Sequence, residues 1–219
     1  MSPPTRFRNR SEAGQLLGER LEYLSAERPV VLGLPRGGVP VAFEVAQTLA
    51  SPLDVLVVRK LGVPFHPELA FGAIGEDNAQ VLNAQFVQRL GLSKDTIAEV
   101  ARHERAELIR RVELYRGDQA ALALIGRTVV IVDDGLATGA TARVAVEVAR
   151  ARGAKRIIVA VPVSPREAVA ELRTVADEVI SLLVPTQFDA VGEWYEDFDQ
   201  TSDNEVTSLL RKPSNPDRL

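Results

Sequence analysis

Short runs of consecutive apolar residues alternate along this chain with longer segments in which apolar residues recur every three or four positions. The runs predict buried strands, and the recurring pattern predicts amphipathic helices packed against them. The predicted strands cover residues 30–34, 53–60, 129–132, 156–163 and 177–185, with a shorter strand near 71–74 inside a long irregular connection. Because the runs are apolar throughout, they favour a mainly parallel sheet covered on both faces, which is a three-layer α/β/α fold.

Helix start signals support this alternation. Ser11 is expected to cap a first helix. The apolar face of that helix carries Ala13, Leu17, Leu21 and Leu24. The other predicted helices include residues 41–50, 93–116 and 140–152. A further helix is predicted to open on a capping box, with Ser164 as the cap, Pro165 at the first helical position and Glu167 as the returning partner.

Composition narrows the class of protein. The 219 residues suit one domain of moderate size, and the absence of cysteine excludes disulfides and thiolate metal sites. The formal net charge of −4 gives no support to non-specific binding of nucleic acid. No apolar run approaches the roughly 20 residues that cross a membrane. The N-terminal stretch has basic residues without an apolar segment behind them, so we expect a cytoplasmic protein without a secretion signal.

The candidate chemistry lies in VVIVDDGLATGAT, residues 129–141, where a predicted strand ends in Asp133 and Asp134. Ligands of parallel α/β sheets bind beyond the carboxyl ends of the strands. The small residues that follow leave backbone N–H groups accessible at a helix N-terminus, which favours a phosphate. Carboxylates repel phosphate but accept hydrogen bonds from a vicinal diol. A ligand that carries both parts is a ribose 5-phosphate.

Two other interpretations of this stretch stay open. The acids resemble the magnesium-holding strand end of a P-loop NTPase, but that class also needs G-x-x-x-x-G-K-S/T. GLPRGGV supplies Gly33 and Gly38 at that spacing, with Val39 in place of the lysine. The simpler interpretation is a buried strand that ends in a capping aspartate and a turn of small residues.

The stretch resembles the phosphoribosyl pyrophosphate (PRPP) motif of type I phosphoribosyltransferases, which has four hydrophobic residues, two acids and a T-G-x-T loop. GLPRGGVPVA is similar to the diphosphate-binding loop of that family. VVRKLGVPFHPELAFGAIGE is similar to its second, mobile loop, and VPVSP lies where a fourth active-site loop is expected. The resemblance therefore covers most of the chain.

The resemblance implies a division of roles around PRPP. Asp133 and Asp134 would hold the ribose hydroxyls. The 5-phosphate loop would comprise Gly135, Leu136, Ala137, Thr138, Gly139, Ala140 and Thr141. The diphosphate would be bound by Arg36, Gly37, Gly38, Arg59 and Lys60. Cationic side chains and exposed glycine N–H groups suit a diphosphate, and the family suggests a strained or cis peptide within PRGG.

The implied reaction transfers ribose 5-phosphate from PRPP to a nucleophile and releases diphosphate, through a transition state that resembles an oxocarbenium ion. Positioning the ligand and neutralising the leaving group would be the main tasks, assisted by Mg²⁺. The ion is expected on the oxygens of the substrate, without a direct protein ligand, and Asp133 or Asp134 would reach it only through water. No catalytic residue is assigned.

One position departs from some purine-using relatives, which carry an acid immediately before T-G-x-T that contacts the base. Ala137 occupies that position here, which puts a hypoxanthine–guanine type mechanism in doubt.

The family fold also carries a small variable hood that completes the acceptor pocket. Within a single domain of residues 1–219, we expect a core at about 28–185 and a hood at about 186–212, with the N-terminal segment packed nearby. Phe188, Trp194 and Tyr195 could stack on a flat, nucleobase-like acceptor, or could instead seat the tail on the core. The acceptor itself is not identified by the sequence.

Two further functional classes stay open beside the transferase. One is a regulator that senses PRPP without turnover, and the other is a hydrolase of PRPP or a nucleotide. The sequence has both glycines of PRGG and both cations of the second loop, Arg59 and Lys60. Their presence favours catalysis, because the diphosphate must be bound as it leaves. The interleaved Arg and Glu from 99 to 116 are typical of a solvated helix face, although contact with a second copy in a homodimer or with a lid is an alternative.

Overall fold

The computed structural model describes residues 6–64 and 66–212. The strands are β1 (Val30–Gly33), β2 (Leu53–Val55), β3 (Val58–Val63), β4 (His66–Gly75), β5 (Gln80–Leu82), β6 (Thr128–Val132), β7 (Arg156–Val163) and β8 (Glu178–Leu183). The helices are α1 (Arg10–Leu21), α2 (Gly38–Thr48), α3 (Ala84–Leu90), α4 (Lys94–Arg116), α5 (Ala140–Ala151), α6 (Arg166–Leu172) and α7 (Asp203–Arg211). Short 3₁₀ helices cover Glu22–Glu27 and Val191–Trp194.

A five-stranded parallel sheet in the order β2-β1-β6-β7-β8 lies between two layers of helices. Alternate residues of the central strands point to opposite faces, as the period of a strand requires. Val31 and Val130 join a core with α1, α2, α4 and α7, whereas Val129 joins a second core with α5 and α6. The predicted three-layer α/β/α fold with a parallel sheet is confirmed.

The prediction of one strand over residues 53–60 is wrong. The chain leaves the central sheet after Val55 and enters a separate three-stranded antiparallel sheet, in the order β3-β4-β5. The apolar run does not reveal the break because Leu56 and Val57 are buried as well. The predicted short strand near 71–74 is confirmed but is longer than expected, since it forms part of the ten-residue strand β4 and takes up much of the predicted irregular connection. Arg59 and Lys60 therefore lie inside β3, which forms a hairpin with β4, and not at the end of a central strand.

Both predicted helix caps are also wrong. Asn9 caps α1, and its side chain accepts a hydrogen bond from the N–H of Glu12. Ser11 lies inside the helix and donates its hydroxyl to Glu44 of α2. Ser164 does not cap α6, because its hydroxyl donates to the carbonyl of Pro165 and Pro165 itself occupies the N-cap without a side-chain hydrogen bond. The N–H of Ser164 donates to the carbonyl of Leu183 in β8.

The N-terminal segment (residues 6–10) and the C-terminal tail (residues 186–212) pack against each other. Phe7 donates its N–H to the carbonyl of Trp194 at 2.9 Å and accepts one from Glu196 at 2.8 Å. The tail ends in α7, which the sequence did not predict and which buries Val206 against α2 and α4. Across the described residues, none of the helices combines the length and apolar character that a membrane crossing requires.

Candidate functional site

The acid pair lies at the carboxyl end of β6, the middle strand of the central sheet. The N–H of Asp134 donates to Oδ1 of Asp133 at 2.9 Å, so the first carboxylate caps the turn that carries the second. Tyr195 of the tail donates its hydroxyl to the carbonyl of Asp134 at 2.5 Å. The backbone at the acid pair is therefore held by both the strand and the tail.

Arg10, the first residue of α1, binds the side chain of Asp134. Its Nε and Nη2 both lie 2.9 Å from Oδ2 of Asp134, and the two side chains are only 13% and 15% exposed. The third nitrogen, Nη1, donates to the carbonyl of Asp199 at 2.7 Å, and the guanidinium stacks over the ring of Phe198 at 3.9 Å. One cation thus joins the N-terminus, the acid pair and the tail.

The two carboxyl groups ionise unequally. Burial, followed by the charge of Asp134, raises the pKa of Asp133 well above its ordinary value. Burial also raises the pKa of Asp134, but the Arg10 charge and hydrogen bonds oppose that rise. Two neighbouring carboxyl groups cannot both ionise freely, because their negative charges repel each other. Asp133 is the member of the pair that keeps a proton more readily.

The PRGG loop lies directly against the acid pair. A Cβ on Gly37 would overlap Oδ2 of Asp134, and a Cβ on Gly38 would lie 2.6 Å from the carbonyl oxygen of Val132. The peptide bond between Pro35 and Arg36 is cis. Close approach of α2 to the end of β6 therefore requires both glycines.

We expect Gly37→Ala to displace Asp134 and to cost about 1–3 kcal/mol of folding free energy, because the added methyl group has no space. Gly75→Ala, at the end of β4, is a matched control, since its Cβ would overlap the side chain of Val148 near the C-terminal end of α5 and not the acid pair. Denaturant unfolding should show a loss in both variants. Ligand binding of the folded protein should weaken only in Gly37→Ala, and equal binding by the two variants would contradict the prediction.

The loop after the acids opens helix α5 with unused donors. Gly139 takes the left-handed conformation with φ of 71°, which brings the chain into the helix. Over residues 6–64 and 66–212, no acceptor is bonded to the backbone N–H groups of Thr138, Gly139 or Thr141. Such groups at the start of a twelve-residue helix favour an anion.

Other residues of the same loop have different roles. Leu136 is buried, and its N–H is already bonded to the carbonyl of Val163 at 3.0 Å, so it offers no free donor. A Cβ on Gly135 would lie 2.5 Å from Val191 of the tail, so this glycine lets the tail approach. The N–H of Ala140 is directed at the Thr138 hydroxyl at 3.4 Å, and Ala137 is exposed.

A cavity of about 780 Å³ adjoins the loop and the PRGG segment, and it is lined by Pro35, Arg59, Lys60, Glu104, Arg111 and Thr141 among others. Arg59 is ion-paired with Glu104 of α4 at 2.6 Å. Lys60 is exposed and has no ion pair with a described residue. The hairpin, α4 and the start of α5 therefore meet at a cavity with more positive than negative side chains.

Arg36 is partly buried, and its guanidinium has no hydrogen bond or ion pair with any residue that the structure describes. Its charge acts on Tyr115 of α4. Burial raises the pKa of that hydroxyl to about 12, Asp203 raises it too, and Arg36 opposes the rise. A free cation at this position is available to a ligand.

The three aromatic candidates of the tail differ in position. Tyr195 is 4% exposed, and its ring packs on Phe7 at 5.5 Å and on Phe198 at 4.9 Å. Phe188 and Trp194 are partly buried beside the same cluster. Tyr195 therefore seats the tail on the core, which is the second of its two predicted alternatives.

Sequence reasoning missed Arg10, Glu104 and Arg111. Arg10 lies 124 positions from Asp134 in the chain, and no spacing pattern connects them. Glu104 and Arg111 belong to the charged face of α4, which was interpreted as solvated. The polarity of that face is visible in the sequence, but the hairpin that approaches it is not.

Comparison with known proteins agrees with this geometry. A family model described as the phosphoribosyl transferase domain matches residues 9–197. Two Mycobacterium tuberculosis proteins, from strains CDC 1551 and H37Rv, each carry the name "putative phosphoribosyl transferase". They are 55% identical to this chain over 204 residues, which is 93% of the chain. The chain spans 46% of each, about half the length of these relatives.

The crystal structure of TT1426 from Thermus thermophilus has the same fold, with a TM-score of 0.87 and 46% identity. The match covers 94% of this chain and 97% of that chain. The family match includes the acid pair, the loop that opens α5 and the PRGG segment. The chain belongs to the phosphoribosyl transferase domain family.

Proposed function

We propose that this phosphoribosyltransferase domain uses PRPP as its donor and transfers ribose 5-phosphate to a nucleobase-like acceptor, with release of diphosphate. The observation that carries the proposal is the adjacency of two unlike sites on one turn. The acid pair directly follows β6, and the free backbone N–H groups lie a few residues later at the start of α5. PRPP presents a diol and a phosphate with the same adjacency.

The ribose and its 5-phosphate would divide between these two sites. Asp134, paired with Arg10, would accept a hydrogen bond from a ribose hydroxyl, and Asp133, whose pKa burial raises, would hold a second hydroxyl. The N–H groups of Thr138, Gly139 and Thr141, together with the two threonine hydroxyls, would bind the 5-phosphate. Leu136 would contribute packing to this loop instead of a donor.

The diphosphate would lie in the cavity beside PRGG, near Arg36, Lys60 and the N–H groups at the start of α2. Arg59 could join it by exchanging Glu104 for the ligand. Magnesium fits as an ion carried by PRPP, because the described residues hold no cluster of three or more His, Asp or Glu side chains suited to a metal. When bound to the diphosphate, it would neutralise charge that develops on the leaving group.

The acceptor would enter between the loop that opens α5 and the tail, which we propose acts as the hood of a single domain. Phe188 and Trp194 are the aromatic candidates for stacking on a flat acceptor, since Tyr195 is engaged in the core. Ala137 is exposed at the position where some purine-using relatives carry an acid. An acceptor that needs no carboxylate at that position is therefore favoured.

The proposal is tested by calorimetry with PRPP and Mg²⁺, followed by diphosphate release from PRPP against a panel of bases and amines. We expect release that depends on one class of acceptor. Lys60→Gln should slow it, whereas the exposed Lys155, at the opposite end of the sheet before β7, is a matched lysine whose change to Gln should not.

Each other outcome selects a different function. Release without any acceptor would indicate a hydrolase, and tight binding without release would indicate a PRPP sensor. No binding of PRPP in the presence of Mg²⁺ would reject the proposal.

A further inference from the structure

We infer that Arg10 is a positioning residue, which fixes the orientation of Asp134 and thereby couples ribose binding to the position of the tail. This inference rests on the proposed use of PRPP. It assigns a role to a residue of the N-terminal segment that has no sequence relation to the PRPP motif.

The geometry of the pair is the first observation. Two guanidinium nitrogens, Nε and Nη2, lie at the same 2.9 Å from a single oxygen of Asp134, which leaves Oδ1 without Arg10. Gly37 packs against the same oxygen beside Arg10, since a Cβ on Gly37 would overlap Oδ2 and lie 3.3 Å from Nε of Arg10. Arg10 and Gly37 therefore both contact Oδ2. An aspartate held in this way keeps one orientation.

The charges around Asp134 are the second observation. Arg10 comes from α1, Asp133 from β6 and Tyr195 from the tail, and Arg10 is the cation among the groups that act on Asp134. Without Arg10, two partly buried acids would face each other with no compensating charge. A shared proton would then be favoured over an ionised Asp134.

The connection to the tail is the third observation. The same guanidinium binds the carbonyl of Asp199 at 2.7 Å and stacks on Phe198, whose ring packs on Tyr195. Tyr195 in turn donates to the Asp134 carbonyl. The tail is thus connected to Asp134 in two ways. Arg10 links it to the side chain of Asp134, and Tyr195 binds the backbone carbonyl of Asp134. Movement of the tail would shift the ribose-binding acid.

A double-mutant cycle tests this role. Arg10→Gln should weaken binding of PRPP with Mg²⁺ by about five- to tenfold, as measured by calorimetry. In an Asp134→Asn background the same change should have less than about a twofold effect, because Arg10 acts through that carboxylate. Arg10→Lys keeps the charge but loses the second nitrogen on Asp134 and the stacking on Phe198, so its affinity should lie between those of Arg10→Gln and wild type.

Arg8→Gln is the matched control. Arg8 lies in the same segment, is 72% exposed and, within residues 6–64 and 66–212, its side chain pairs with Glu12 alone, so its loss should leave PRPP affinity unchanged. Thermal unfolding of every variant separates folding defects from binding defects, and Arg10→Lys tests the role if Arg10→Gln does not fold.

The outcomes separate the inference from the proposed function. Wild-type protein that does not bind PRPP overturns the proposed function, and the inference with it. If wild type binds, an equal effect of Arg10→Gln in both backgrounds overturns the inference alone. Tighter binding by Arg10→Gln also overturns it, since Arg10 would then compete with the ligand for Asp134.

Discussion

Asp134→Asn is expected to weaken PRPP binding by about 10- to 100-fold, which corresponds to the loss of a hydrogen bond to a charged acceptor. Asp134 is the member of the pair that binds Arg10, whose charge favours the carboxylate, so its replacement by an amide removes the charge that a ribose hydroxyl would meet. The change also leaves Arg10, only 13% exposed, without its carboxylate partner. We therefore expect the free energy of unfolding to fall as well.

Asp133→Asn should behave differently. The raised pKa of Asp133 means that this carboxyl stays protonated to higher pH in the folded protein than in the unfolded chain. An amide resembles a protonated acid in charge and shape, so the loss of affinity should be smaller than in Asp134→Asn. The amide oxygen can also keep the hydrogen bond from the N–H of Asp134.

The stability of Asp133→Asn relative to wild type should depend on pH. A folded-state pKa above the ordinary value of 3.8 means that the folded protein binds more protons than the unfolded chain above that pH. Wild-type stability therefore falls as pH rises from 3.8 towards the folded-state pKa. Asp133→Asn lacks this dependence and should become the more stable protein by about 0.5–2 kcal/mol near neutral pH.

Calorimetry for affinity and urea unfolding at several pH values check both variants. Asp134→Asn should lose affinity and stability together, whereas Asp133→Asn should lose less affinity and gain stability. Equal losses of affinity in the two variants would show that the acids act as equivalent ribose ligands. The unequal environment would then have no functional meaning.

The sequence predicted the central sheet because its strands are buried on both faces. The limits 156–163 for β7 agree with the structure at both ends, and β1 and β6 differ by one residue each. The apolar face of α1 was also predicted, since Leu17 and Leu21 are fully buried. Burial of one face of a helix places apolar residues at regular intervals along the chain, and this spacing is visible in the sequence.

The hairpin was missed for a physical reason. β3 carries Arg59 and Lys60, so the apolar pattern is interrupted within the strand. Leu56 and Val57 fill the space where the chain changes sheets and extend the run beyond β2. Hydropathy registers burial, and it does not register which sheet a residue joins.

The acid pair and the loop that opens α5 were predicted as adjacent sites, since consecutive residues must be neighbours. The contact of PRGG with Asp134 was not predicted, because it depends on the parallel pairing of β1 and β6. Arg10 shows the same limit more strongly. Its position follows from α1 packing across α2, and the contact is made between side chains far apart in sequence.

Arg116→Met is expected to lower the free energy of unfolding by about 3–5 kcal/mol, the range found when one partner of a buried ion pair is removed. Arg116, the last residue of α4, is 3% exposed and binds both Asp54 of β2 and Glu76 after β4. Its Nη2 also donates to the carbonyl of Val55 at 3.1 Å. Loss of the guanidinium removes a cation from two buried carboxylates.

The ion pairs of Arg116 with Asp54 and Glu76 join the two sheets. Asp54 belongs to the parallel sheet, and Glu76 follows the hairpin strand that pairs with β3, which carries Arg59 and Lys60. A chain without this anchor should hold the proposed diphosphate cations less firmly. The loss of stability should therefore come with weaker binding of inorganic diphosphate, as measured by calorimetry on the folded fraction.

Two controls separate buried charge from the loss of an arginine. Arg110 lies on the same helix, is 61% exposed and pairs with Glu107 at the surface, so Arg110→Met should change stability little. Combining Arg116→Met with Asp54→Asn and Glu76→Gln should recover much of the loss, because no unpaired charge is then buried. If the triple variant is no more stable than Arg116→Met, the cost comes from packing of the arginine side chain, and the ion-pair explanation is wrong.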